Sequence, residues 1–170
     1  VLAFVLAHNI LYTYVAPFLA EAGMADRTDA VLLVFGVASL VSIWVVGVQI
    51  DRRLRHLTLA STALFALSAA AFWIWSDVPV VIYAATAVWG LAFGGCATLF
   101  QTASAKAAGP AADLAQSMLV TAWNAAIAGG GLIGGVLLDR FGVGAFAPGL
   151  LILLVLSFIV TLRACRNGFA

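Results

Sequence analysis

In an apolar helix, chemistry falls to the few side chains that hydrogen-bond or titrate, and His8, Asn9, Tyr12 and Thr13 are such a group near the start of this chain. His8 with Tyr12, and Asn9 with Thr13, are i, i+4 pairs, so on a helix they form one polar stripe. His8 is able to carry a proton near neutral pH, since an unperturbed imidazole has a pKa of about 6.5. The other three can only donate or accept hydrogen bonds. A neutral His8 bonded between helices is the plainer reading, and Asn9 and Tyr12 divide between lining a cavity and bonding to a neighbouring helix. Further along, Gln101 and Asn124 are carboxamides within apolar runs and are candidates for substrate contact. A charged group, Asp51, Arg52, Arg53 and Arg55, sits in "GVQIDRRLRHL" (Gly47 to Leu57) in a chain with only 8 Lys and Arg and 7 Asp and Glu. A carboxylate and arginines at helix ends can pair with a neighbouring helix terminus in one conformation and release it in another, which is gating rather than cargo binding. An arginine cluster that only sets membrane orientation is the competing reading.

The elements that must hold these residues follow from composition. The chain is 65% apolar and 9% charged, far from the roughly 25% charge of soluble domains. A bilayer core about 30 Å thick needs about 20 mostly apolar residues per helix. Six such runs can be drawn: Val1–Ala20, Ala30–Ile50, Leu57–Trp75, Val80–Gln101, Ala115–Leu138 and Phe146–Leu162. The runs are continuous rather than alternating, and backbone amides in hydrocarbon need partners within their own segment, so helices are expected rather than a barrel. The expected fold class is an all-α membrane protein, a six-transmembrane-helix bundle in the lipid bilayer.

With six spans, Arg52, Arg53, Arg55, Lys106, Arg163 and Arg166 share one side, against Arg27 and Arg140 on the other. Basic loops are held in the cytoplasm, so both termini of this segment are expected there, in a plasma or inner membrane, and "DRRLRH" is expected to be a short cytoplasmic turn. The two cysteines, Cys96 and Cys165, offer neither a disulfide framework nor a CxxC metal site, and no cofactor motif is present. The chain opens on Val1 without a basic leader, which reads better as a start inside a larger gene than as a signal peptide.

Laid on itself at an offset of 88 residues, the chain brings "GVQIDR" (Gly47 to Arg52) onto "GVLLDR" (Gly135 to Arg140). Span one then falls on span four, two on five and three on six. Repeat one covers residues 1–76 and repeat two residues 80–163. Three helices per repeat force the second copy to sit upside down, and such inverted repeats build several secondary transporters. Under this overlay Tyr12 falls on Phe100 and Thr13 on Gln101.

Three stretches carry a family resemblance. "HNILYTYVAPFLAEAGM" (His8 to Met24), "GVQIDRRLR" and "AQSMLVTAWNAAIAGGGLIGGVLLDRFG" (Ala115 to Gly142) resemble the seventh helix, the second Gly-x-x-x-Asp-Arg loop and the eleventh helix of the major facilitator superfamily. The branch they most resemble is bacterial drug and sugar efflux, with its arabinose, purine nucleoside and chloramphenicol exporters. The resemblance covers essentially the whole chain and implies the C-terminal half of such a transporter, with an N-terminal six-helix half as its partner. It implies export of a small molecule by alternating access, in exchange for protons, and implies that the eleventh helix meets the opposite half. One departure stands out: Leu54 occupies the place of the motif's glycine, which puts a glycine-dependent turn in doubt.

In the fifth span, Gly130 with Gly134 and Gly131 with Gly135 are GxxxG pairs that allow close backbone approach, so this face reads mainly as a helix interface. Pro17 is expected to bend the end of the first span. Trp89 reads as an interfacial anchor or as a wall of the binding site. No span embeds an Asp or Glu, so His8 is the one candidate proton carrier, and a principal proton site on the other half is implied if the parent is proton-coupled. The sequence admits two other classes. A self-contained six-span chain could dimerise to supply both halves. An intramembrane serine protease would need a serine activated beside His8, and no serine motif supports it. No basic surface points to nucleic acid.

Overall fold

The computed structural model describes residues 1–164; Cys165 and Arg166, which the sequence puts at the chain's end, lie outside the described residues. Backbone amides pair mainly within their own helices, as hydrocarbon demands. The described residues form helices α1 (Leu2–Thr13), α2 (Val15–Glu21), α3 (Thr28–Ile74), α4 (Pro79–Phe93), α5 (Cys96–Ala108), α6 (Ala112–Phe141) and α7 (Phe146–Arg163), with a short 3-10 turn ahead of each of α3, α6 and α7, and contain no strand.

α3 runs 47 residues, about 70 Å at 1.5 Å per residue and more than twice a bilayer core. It is interrupted at one residue, Arg53, whose φ of −134° and ψ of 23° are not helical. Residues 28–52 are α3a here and residues 54–74 are α3b. Neighbours show that the chain reverses between them. In α3a, Phe35 and Ala38 meet Gly90 and then Ser39 meets Gly94, so α3a runs alongside the fourth span in the same direction. In α3b, Phe65 stacks on Trp89 at 6.2 Å while Ser68 donates to the Ala85 carbonyl at 2.7 Å, the opposite direction. The loop expected at "DRRLRH" is therefore corrected to a single non-helical residue. Leu54 replaces the motif's glycine, and arginine and leucine are good helix formers, so helix continues up to the break and resumes after it.

Two other segments are broken helices. α1 and α2 meet at 56° with the break at Tyr14. The ring of Pro17 conflicts with the carbonyl four residues earlier, at Thr13, so the bend falls just ahead of the proline. α4 and α5 part at Gly94 and Gly95, where a Cβ would collide with Ser39 and Val46 of α3a. Ser42 repairs the ladder there, donating to the Leu91 carbonyl at 2.6 Å and accepting from the Gly95 amide at 3.1 Å.

Counting each broken pair as one segment, chain direction alternates along the sequence. α1 runs with α6, since Leu6 meets Gly129 and Tyr14 meets Gly134. α1 runs against α4, with Phe4 stacked on Phe93 at 6.0 Å and Tyr12 near Trp89 at 6.3 Å. Glu21, Asp77 and Gly144 gather around one pocket at one end of the bundle. At the other end Arg55 reaches the carbonyl of Leu162, and Gln116 reaches that of Gln101. The core is aromatic and aliphatic, with Phe4, Phe65, Trp89, Phe146 and Leu154 almost wholly buried. The outer surface is apolar as well: Leu33, Leu40, Trp44 and Val48 of α3a are each at least 67% exposed. A continuous apolar exterior on a helical bundle suits lipid rather than water, and the chain is an all-α membrane bundle.

Candidate functional site

The described polar side chains fall into three places. The first is an aromatic cluster on α1 and α4. His8 is 7% exposed and stacks on Phe93, with ring centres 3.4 Å apart. Its Nδ1 accepts the indole N–H of Trp89 at 3.2 Å. An indole nitrogen can only donate, so His8 Nδ1 carries a lone pair in this arrangement and its proton sits on Nε2. Tyr12, 45% exposed, lies over His8 at 5.3 Å. Trp89, left open between anchor and wall, is a buried member of the core at 1% exposure.

The second place is the contact between α1 and α6. Asn9 turns away from His8; its amide donates to the Val5 carbonyl of its own helix at 2.8 Å, and its Cβ sits where a side chain on Gly130 would go. Tyr14 donates to the Gly131 carbonyl at 2.6 Å, and its ring lies against Gly134 with its hydroxyl beside Gly135. A Cβ on Gly131 would meet nothing within 4 Å. Neighbouring residues on a helix point about 100° apart. The stripe of His8, Asn9, Tyr12 and Thr13 is thus divided, with His8 and Tyr12 toward α4, Asn9 toward α6 and Thr13 exposed at the end of α1.

The third place is a cleft of about 220 Å³ between α5 and α6, lined by Ala97, Gln101, Leu119, Val120, Trp123 and Asn124. Gln101 and Asn124, 23 residues apart in the chain, are brought together here, both exposed. The Gln116 amide donates to the Gln101 backbone carbonyl at 2.9 Å and ties the two helices at this level. Trp123 forms one wall of the cleft and lies 6.3 Å from Phe93, which stacks on His8. A relay of rings therefore connects exposed Tyr12 with the amide cleft. No charged residue lines the cleft. Two carboxamides beside an indole can hold an uncharged molecule that offers hydrogen-bond donors and acceptors and a flat or apolar face.

The gate candidates lie apart from all three. Asp51, Arg52 and Arg53 are exposed at the reversal in α3. Arg55 is half-buried and donates from Nη2 to the Leu162 carbonyl at 3.3 Å, at the C-terminal end of α7 where cations are favoured. Sequence reading passed over Tyr14, Gln116, Ser42 and the close approach of α4 to α3a. Gly90-Leu-Ala-Phe-Gly94 is itself a GxxxG pair and was the available signal for that contact. Nothing in the sequence announced the bonds of Tyr14 and Gln116, because each partner is a backbone carbonyl.

No family model and no solved structure matches the chain. Curated relatives do. The chain is 29% identical over 143 residues to a probable sugar efflux transporter of Mannheimia succiniciproducens, a match over 81% of this chain and 35% of that protein. It is 30% identical over 157 residues to the purine ribonucleoside efflux pump NepI of Salmonella paratyphi C and of Salmonella typhi, over 89% of this chain and 40% of those proteins. The chain thus spans less than half the length of these relatives. The resemblance to bacterial efflux transporters carried by its motifs is borne out by relatives named as transporters rather than enzymes, and over most of its length this membrane chain is similar to one part of such proteins.

Proposed function

We propose that the chain is the C-terminal six-helix half of a major facilitator exporter that moves a small molecule, a sugar, nucleoside or drug, out of the cytoplasm by alternating access in exchange for protons. Its partner is then an N-terminal six-helix half, and its two inverted repeats span residues 1–76 and 80–163. Both termini face the cytoplasm in this reading, in keeping with the basic residues at the end where Arg55 meets α7. The observation that carries the proposal is the uncharged cleft of Gln101, Trp123 and Asn124, open on a bundle whose outer face along α3a is apolar. An exposed polar cleft is costly against lipid and is stable against water or another protein surface. The names of the relatives support export of a sugar or nucleoside.

In this reading Gln101, Asn124, Tyr12 and Thr13 face cargo, while Asn9 and the glycines Gly130, Gly134 and Gly135 let α6 move against α1; at Gly131, where a side chain would face open space, that contact does not need a glycine. His8 stays neutral, accepting from Trp89 between α1 and α4, and the principal proton site lies on the N-terminal half. Asp51, Arg52, Arg53 and Arg55 bias the inward and outward states. The test is an export assay in cells carrying the complete gene, with and without a proton uncoupler. Expression should lower accumulation of a labelled nucleoside or sugar, and the uncoupler should abolish the effect. Asn124→Ala and Gln101→Ala should each raise the half-saturating concentration about two- to tenfold, the worth of one neutral hydrogen bond. Accumulation unchanged by expression would end the proposal.

A further inference from the structure

α3b and α7 flank an apolar groove of about 390 Å³ that shares no lining residue with the amide cleft. Its walls include Thr62, Ala66, Leu67, Leu154, Val155 and Phe158. The one hydroxyl among them is already used, since Thr62 donates to the Thr58 carbonyl at 2.9 Å. The groove therefore offers an occupant no free donor and only the Thr62 oxygen as acceptor, which disfavours a polar cargo molecule and suits hydrocarbon. Leu67 and Val155 are 64% and 52% exposed, so it opens on the outer surface.

The two helices that form the groove also meet at a basic end. Arg55, at the start of α3b, is half-buried and donates to the Leu162 carbonyl of α7 at 3.3 Å. His56, next to Arg55 on α3b, and Arg163, next to Leu162 on α7, are both exposed. Along the helices, Arg55 lies about 10 Å from Thr62 and Arg163 about 7 Å from Phe158, at 1.5 Å per residue. That is the offset between a lipid phosphate and the upper part of its chains. Basic pockets between transmembrane helices are suited to anionic lipid headgroups. A second copy of this chain would bring the same arginines to face their equivalents, and like charges oppose that arrangement.

We infer that the groove between α3b and α7 holds one acyl chain of an anionic phospholipid whose phosphate is bound by Arg55 and Arg163. The site is independent of cargo and of transport direction, and needs only that this face meets lipid. Its occupant would brace the two helices that otherwise meet at that end through the Arg55 contact to Leu162.

The experiment is native mass spectrometry of the full-length protein released from detergent after incubation with equal amounts of palmitoyl-oleoyl phosphatidylglycerol and the matching phosphatidylcholine. The unaltered protein should retain phosphatidylglycerol in preference. Arg55→Gln should lower that retention about fivefold, the effect of one basic residue near an anionic surface. Val155→Trp, which fills the groove and leaves every charge in place, should lower it as well. Arg140→Gln, at the opposite end, should change nothing. Circular dichroism and size exclusion check that each variant is folded. If Val155→Trp does not fold, phosphatidylglycerol with a photoreactive acyl chain should label residues 62–67 or 154–158 of the unaltered protein. Equal retention of both lipids, retention indifferent to Arg55→Gln, labelling elsewhere, or a dimer cross-linked through Val155 would each overturn the assignment.

Discussion

Gly130→Ala should push α6 away from α1, whereas Gly131→Ala, one residue along the same helix, should not. A Cβ at position 130 would stand 2.5 Å from Asn9 Cβ and 3.0 Å from the Asn9 carbonyl carbon, and backbone cannot swing aside. At position 131 the same atom would meet nothing within 4 Å. Overpacking costs about 1–3 kcal/mol, and an alanine in place of a helical glycine returns about 1 kcal/mol. The first variant is then destabilised by about 1 kcal/mol and the second stabilised by about as much. The propensity gain is common to both, so their difference isolates the collision at about 2 kcal/mol. For a chain of this size that is a gap of about 4–8 °C in melting temperature. Thermal unfolding of the purified variants in one detergent measures it, and Gly131→Ala leaves the Tyr14 bond to the Gly131 carbonyl in place, since that bond uses backbone. Two variants that melt together would refute the claim that Gly130, and not Gly131, is the point of contact.

Three further outcomes are expected. Ala25→Cys and Lys106→Cys, both at exposed positions, should react with a membrane-impermeant reagent from opposite faces; labelling from one compartment alone would refute the alternating six-segment topology. Asp51→Asn should slow transport while leaving membrane insertion intact, and an unaltered rate would end the gate assignment. Trp89→Phe removes the donor to His8 and should cost about 1 kcal/mol that disappears when His8 is already leucine. Additive effects in that double-mutant cycle would show that the bond contributes nothing.

Much of the fold was legible because lipid imposes a rule that composition obeys. Every backbone amide needs a local partner, so long apolar runs must be helices, and the six runs drawn from hydropathy coincide with the described segments to within a few residues at most of their ends. The larger difference, the single-residue reversal at Arg53, arose because charge clusters suggest loops while arginine and leucine go on forming helix. The candidate site was less legible. The identity of Gln101 and Asn124 marked them as costly in lipid, but a shared cleft depends on how α5 and α6 lie together. His8 and Asn9 looked like one stripe from spacing; their separation toward α4 and α6 depends on which helix occupies each side of α1.

From the sequence alone came the membrane setting, the helical class, the segment count and the short set of polar residues able to do anything, because these rest on local hydrogen bonding and on the cost of polarity in hydrocarbon. The tertiary structure decided which glycine touches which helix, that Nδ1 of His8 accepts from Trp89, that Arg55 reaches the end of α7, and that a cleft and a groove open at separate places. Those are relations between residues far apart in the chain. They are set by which apolar faces pack against one another, and in a chain whose segments are apolar all round, no local pattern specifies that choice.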